Sequence, residues 1–312
     1  MKTLTLVRWE LVQAIRGLGP QVAVTLASLA SVGLIGVGIF LLDLWSPFPT
    51  ASLSGFRADV PSSEQLSSLL GEYRGGMAFL VLLGWLVLIA ALVGPAFSAG
   101  AIVRDRRSGR LDRVLTDASR ADVVVVAKLF AGLVPLAIVL AAAGPSTSFA
   151  WLIGGLATRE AIASVAVLVA IVVLVAAVGL ACSAVATTEV GALIGSYIVV
   201  GGIVLGPLVA GAGLALAGFR STAAIVVAFD PFVALLSVQT RLTLGLSRTL
   251  LADWSPLRVT WTIGRTRVPI WAGDVLLYAL LAVGLVWLTS VVIEPLHPVK
   301  TWRMRRAQRA SR

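Results

Sequence analysis

Five long blocks of this chain, residues 21–42, 77–99, 161–186, 190–218 and 275–293, contain no Asp, Glu, Lys or Arg at all. About 20 helical residues cross the roughly 30 Å of bilayer hydrocarbon, so apolar runs of about 18 or more read as transmembrane helices. A sixth block, 123–143, holds a single charge, Lys128, close enough to one end for its ammonium to snorkel to the interface. With 58% hydrophobic and 13% charged residues, the chain falls far from soluble domains, which carry about 25% charge. The expected fold is an all-α polytopic membrane protein of six transmembrane helices. The spans lie at about 21–42, 77–99, 123–143, 161–186, 190–218 and 271–293 within one transmembrane domain, 1–312.

The net charge of +10 reads as topology rather than as a nucleic-acid footprint, because Lys and Arg gather on the cytoplasmic side of membrane proteins. Six spans put both termini on one side. If that side is the cytoplasm, segments 1–20, 100–122, 187–189 and 294–312 together with Lys128 hold 16 of the 25 basic residues, against 7 acidic ones. The opposite side holds 9 basic and 8 acidic residues. The reading is a multi-pass membrane protein, N- and C-termini cytoplasmic, with a basic tail at 294–312. Residues 219–270 fall outside despite six arginines. Their apolar halves are broken at Asp230-Pro231 and are each too short to span. They read as re-entrant or interfacial helices before span six, since proline interrupts a helix.

Segment 1–20 reads as an N-terminal interfacial elbow helix. Leu4, Val7, Leu11, Val12 and Ile15 recur at helical spacing, with Lys2, Arg8, Glu10, Gln13 and Arg16 on other faces. The first apolar block is too long for the core of a cleavable signal peptide, so none is expected. In the loop 100–122, Leu111, Val114, Leu115 and Ala118 form an i, i+3, i+4, i+7 stripe. That stripe predicts a short amphipathic helix whose apolar face lies against the bilayer or a partner. Antiparallel spans need only a handful of connecting residues, so a loop of this length calls for a reason. In the fifth span, Gly191 with Gly195 and Gly202 with Gly206 are small-xxx-small pairs that let helices approach closely, within or between subunits.

Chemistry-bearing motifs are missing. The sequence has no phosphate-binding GxxxxGK[ST] loop, no HExxH and no GxSxG, and its one cysteine, Cys182, excludes an intrachain disulfide. The lone His297 stands between Pro295 and Pro298 and reads as an interfacial loop residue. Glu189, Asp274 and Glu294 are assigned to span ends, which leaves the hydrocarbon depth without carboxylates. Ion-driven carriers place such groups there, so energy for any transport is expected from outside the membrane.

In this order of features the chain resembles the membrane subunits of type-2 ABC transporters, the export-permease class. The resemblance rests on the six-span layout, the elbow helix and the long second cytoplasmic loop. Within the loop it rests on Gly109, Leu111, Asp112, Leu115 and Thr116, followed by Asp122 and Lys128-Leu129. Gly154-Gly155, Ser183 and Asp230-Pro231-Phe232 are similar too. Where the family carries acidic residues before the glycine and a threonine after it, this chain has Arg106, Arg107, Ser108 and Arg110.

The resemblance implies that residues 104–118 act as a coupling helix seated on a separate ABC ATPase subunit. Arg104, Asp105, Gly109, Leu111, Asp112, Val114, Leu115 and Thr116 would make the ATPase contact. It implies a second permease chain, in a homo- or heterodimer packed through Gly191, Gly195, Gly202 and Gly206. An outer gate is implied at Asp230, Pro231 and Phe232. ATP and Mg would sit on the partner, with no catalytic residue, cofactor or metal in this chain. The alternatives are a secondary carrier, an enzyme acting on lipid through a cluster such as Asp230 with Arg220 or Arg241, and a membrane anchor or sensor for a partner.

Overall fold

Within hydrocarbon a backbone has no water to bond, so each crossing segment must satisfy its own N–H and C=O groups as a helix. A computed structural model describes residues 63–117, 121–142, 157–238, 261–263 and 266–293. Its elements run α1 (Ser63–Ser98), α2 (Ala101–Arg107), α3 (Arg110–Asp117), α4 (Ala121–Ala142), α5 (Thr158–Val185) and α6 (Glu189–Leu216). There follow α7 (Arg220–Val227), α8 (Pro231–Val238), β1 (Trp261–Ile263), β2 (Thr266–Val268) and α9 (Ile270–Ile293). The strands pair antiparallel, Thr262 opposite Arg267, and Pro269 leads directly into α9.

Among the described residues, five helices are long and apolar enough to cross a membrane: Ala78–Arg107, α4, α5, α6 and α9. The bent pair α7–α8 makes a sixth if it counts as one span. The protein is thus a polytopic, largely helical membrane protein residing in a lipid bilayer. The elbow segment 1–20, the first expected span 21–42 and the tail 294–312 lie outside the described residues.

Helix α5 is the axis of the bundle. It packs against α1, α4, α6, α8 and α9, and 61% of its most apolar window is buried, against 17% for α6. Ile171, Leu174, Val175, Val178 and Leu180 fill the centre and meet Leu83, Leu86 and Val87 of α1 and Tyr278 and Ala282 of α9. The outer faces of α6 and α9 remain apolar and exposed, with Ile194, Ile198 and Val209 on one and Leu280, Val283 and Trp287 on the other. Such faces suit lipid or another membrane helix, which carry no penalty for Leu and Val.

Where α1 crosses α5, two glycines set the distance. A Cβ on Gly179 would fall 1.9 Å from Ser98 Oγ, and one on Gly94 would come within 2.6 Å of Val175 Cγ1. Ser98 is fully buried here, and its hydroxyl donates to Gly94 O at 3.0 Å. That local bond is the standard way to satisfy a helical serine in apolar surroundings.

Chain direction then reverses through capped breaks. Thr188 Oγ1 accepts from Gly191 N at 3.0 Å at the start of α6. Pro231 occupies the first position of α8, where its missing N–H costs nothing. Asp230 Oδ1 accepts from Phe232 N at 2.8 Å, a side-chain cap. Between these short helices the direction changes by 85°.

The crossing yields a packing prediction. Gly179→Val overpacks the α1–α5 contact and is expected to destabilise the purified protein by about 1–3 kcal/mol. Gly284→Ala, where an added Cβ meets nothing within 4 Å, serves as the control. Thermal melting in detergent should separate the two, and equal melting would refute the close approach.

Candidate functional site

Polar side chains concentrate in two places on this apolar bundle, one at each end. The first is the basic end, where α1 stops and the hairpin α2–α3 begins. Ending α1 at Ser98 and restarting at Ala101 exposes the first N–H groups of α2, which have no partner within their own helix. Ser183, fully buried on α5, supplies one. Its Oγ accepts from Ile102 N at 3.0 Å and from Val103 N at 3.1 Å. A reciprocal arrangement closes the end of α5, where Arg106 donates to Ala184 O at 2.6 Å and to Ala186 O at 3.1 Å. The last carbonyls of α5 are thereby satisfied by a cation, the charge favoured at a helix C-terminus.

Beneath this pair of caps lies an ion pair. Asp105 is 5% exposed and Lys128, on α4, is 3% exposed; Lys128 Nζ donates to Asp105 Oδ2 and to Ala101 O at 3.2 Å. Arg110 Nε stands 3.7 Å from Asp105 Oδ1. Lys128 therefore does not snorkel to the interface as its position in the sequence suggests. A buried carboxylate stands close by, and pairing with it removes the cost of either charge alone. Arg104 reaches Glu189 at the start of α6, 3.3 Å away. Both of those side chains are well exposed, so that bridge contributes little. The hairpin is thus tied to α4, α5 and α6 at once.

What it presents outward is the turn. Arg107, Ser108 and Gly109 are exposed, and Gly109 adopts φ +65° with open space around its Cβ position. The stripe on α3 points the other way. Leu111 is 6% exposed and belongs to the chain's own core, with Leu115 packed against it, and Val114 is half-buried. The expectation that this face meets the bilayer or a partner is corrected: the bundle itself offers the nearest apolar surface. Asp112 and Thr116 lie on α3 by backbone, but their side chains are outside the described residues, as is Ala118.

At the opposite end lie Asp230, Pro231 and Phe232, joined by residues the sequence reading did not single out. Asp230 and Asp274 are both fully buried. One oxygen of Asp230 caps α8, while its other oxygen and both oxygens of Asp274 have no hydrogen-bond partner among the described residues. Tyr278, one turn beyond Asp274 on α9, donates to Phe229 O at 2.9 Å and so ties α9 to the residue preceding Asp230. Phe232 covers Gly84 of α1, whose added Cβ would lie 3.5 Å from the ring. The expectation of no buried carboxylates is overturned. Asp274 sits on a helix start by sequence, yet α8 and the flanking helices cover that start. A carboxylate four residues before a tyrosine inside an apolar block was the available signal.

The four glycines of the fifth span lie along α6 and behave differently. An added Cβ on Gly202 or Gly206 meets nothing within 4 Å, one on Gly195 lies 3.9 Å from Cys182 Sγ, and one on Gly191 meets Thr188 Oγ1 at 2.8 Å. No group of three or more His, Cys, Asp or Glu side chains suited to a metal ion occurs among the described residues. Neither protein-family models nor curated proteins gave a match to this chain.

The buried ion pair predicts a stability signature. Lys128→Met leaves Asp105 with a single, more distant cation and should cost about 3–5 kcal/mol, the usual penalty for breaking a buried pair from one side. The double variant Lys128→Met with Asp105→Leu should recover most of that loss. Chemical denaturation in detergent, run as a double-mutant cycle, measures the coupling, and additive losses would contradict the pairing.

Proposed function

We propose that this chain is the membrane-spanning permease subunit of an ATP-driven transporter of the ABC type, working as an exporter. The observation that carries the reading is the hairpin α2–α3. It is bound to two membrane helices, α5 through Ser183 and Arg106 and α4 through the Asp105–Lys128 pair, while its Arg107-Ser108-Gly109 turn is exposed at the basic end. A push on that turn would reach α4 through Lys128 and α5 through Ser183. These direct side-chain links suit an element meant to receive force from a separate ATPase. Orientation follows from the charge bias, which puts this end and both termini in the cytoplasm of a bacterial cell.

In this reading ATP and Mg are held by the partner, and the chain itself catalyses nothing. With Arg104, Arg106, Arg107 and Arg110 clustered at the hairpin, the complementary groove on the ATPase is acidic. Leu111, Val114 and Leu115 support the hairpin from within, and Arg104 and Gly109 lie on its outer side. A second permease chain, identical or related, would pack along α6, where Gly202 and Gly206 have open space and the surrounding face is apolar. Asp230, Pro231 and Phe232, at the 85° bend, would gate the far exit as a re-entrant pair.

The buried carboxylates Asp230 and Asp274 favour one second reading, a secondary carrier driven by an ion gradient, because such carriers keep ionisable groups among their spans. The two readings part on energy source. Vesicles containing this chain alone transport under an ion gradient if it is a carrier, and need ATPase subunit and ATP if it is a permease.

The direct test is the turn. Arg107→Glu should weaken co-purification with the ATPase encoded beside this chain at least tenfold and reduce ATP-dependent transport in step. Melting should stay unchanged, since the side chain is exposed. Full association and transport in Arg107→Glu and in Arg104→Glu would defeat the coupling role.

A further inference from the structure

Burying an ionised carboxylate without a partner costs several kcal/mol or more, and two side by side cost more still, because each opposes the other's charge. Among the described residues, Asp274 is fully buried on α9 with neither oxygen bonded, and Asp230, fully buried at the start of α8, has one oxygen left over. The two lie within electrostatic reach of each other and of Tyr278. Tyr278 does not serve the carboxylates: its hydroxyl is committed to Phe229 O at 2.9 Å.

Other polar atoms collect on the helices around them. Trp85 Nε1 on α1 and Ser164 Oγ on α5 are also buried without partners, and both helices pack against α8. Glu64, Glu72 and Arg74 of α1 and Arg267 of β2 stand on described backbone at this end, and the charged groups with described side chains there are Arg159 and Glu160, opening α5, and Arg220, opening α7. Arg159 and Arg220 point into the surroundings as exposed side chains. None of these three side chains forms an ion pair with Asp230 or Asp274. Among the described residues no third acidic or histidine ligand joins the pair to hold a multivalent metal.

We propose that Asp230 and Asp274 form a proton-binding site, holding a proton between their carboxyl groups, which locks the α7–α8 bend against α9. With the proton in place one acid donates to the other, so that the left-over oxygen of Asp230 and one oxygen of Asp274 become partners. When the proton leaves to water at this end of the bundle, two facing negative charges remain in an apolar setting and drive α8 from α9. The closed packing therefore binds more protons than the separated one. Its stability is present at low pH and is lost as pH rises, in keeping with linkage. The inference is independent of what powers transport, since a permease or a carrier could use such a latch.

Infrared spectroscopy of the full chain in lipid nanodiscs tests it. At neutral pH the wild type should show a protonated-carboxyl absorption that shifts in heavy water and fades as pH rises. Asp274→Asn should abolish it, whereas Asp274→Glu should keep it at a displaced frequency, which guards against a variant that merely misfolds. Thermal melting of the wild type should fall between mildly acidic and alkaline pH. The double variant Asp230→Asn with Asp274→Asn should show at least a twofold smaller fall. The proposal is overturned if the neutral-pH absorption is missing or survives in Asp274→Asn. It is equally overturned if sodium or potassium concentration, rather than pH, controls the carboxyl signal.

Discussion

Hydrocarbon gives no credit to a polar atom, and in this protein the consequences of that rule run from the backbone to the ends of the bundle. Along the spans it is met within each helix, by backbone bonding and by hydroxyls such as Ser98, Ser196 and Thr289 folding back on their own carbonyls. The difficulty arises where a helix must stop. It is resolved by neighbours, with Ser183 accepting two N–H groups at the break between α1 and α2 and Arg106 donating to two carbonyls at the end of α5. The bonds that satisfy the break are the same bonds that fasten the hairpin to the bundle.

The two ends of the molecule consequently differ in kind. The basic end is closed: cap, counter-cap and buried ion pair leave its buried polar groups partnered and hold its hairpin to α4 and α5. At the acidic end the account is left open, with Asp274 wholly unpartnered and Asp230 half so. Unsatisfied buried groups are rare in folded proteins and mark places where a ligand, a proton or a movement completes the structure. Helix α5 meets both ends, packing against α2 at the basic one and against α8 at the acidic one.

Several features were legible before any coordinates. Uncharged blocks announced the spans, and the Leu111–Leu115 stripe announced a helix, because helical periodicity survives in any context. Proline after Asp230 marked the point where α8 begins. The direction of the stripe was not legible, since an apolar face is indifferent between lipid, partner and its own core. Lys128 was misread for a related reason: its counter-charge lies 23 residues away across a turn whose geometry no local pattern encodes.

By itself the sequence determined that this chain lives in a membrane as a set of helices, and where most of its charge gathers. Length and polarity alone decide whether a segment crosses hydrocarbon, and both are local properties. Tertiary structure alone decided that Ser183 caps a distant helix, that Lys128 meets Asp105, and that Asp230 and Asp274 are both buried with oxygens left unbonded among the described residues. Pairing and burial depend on which helix ends the fold brings to the same depth, and that is settled by packing around α5 rather than by any single segment.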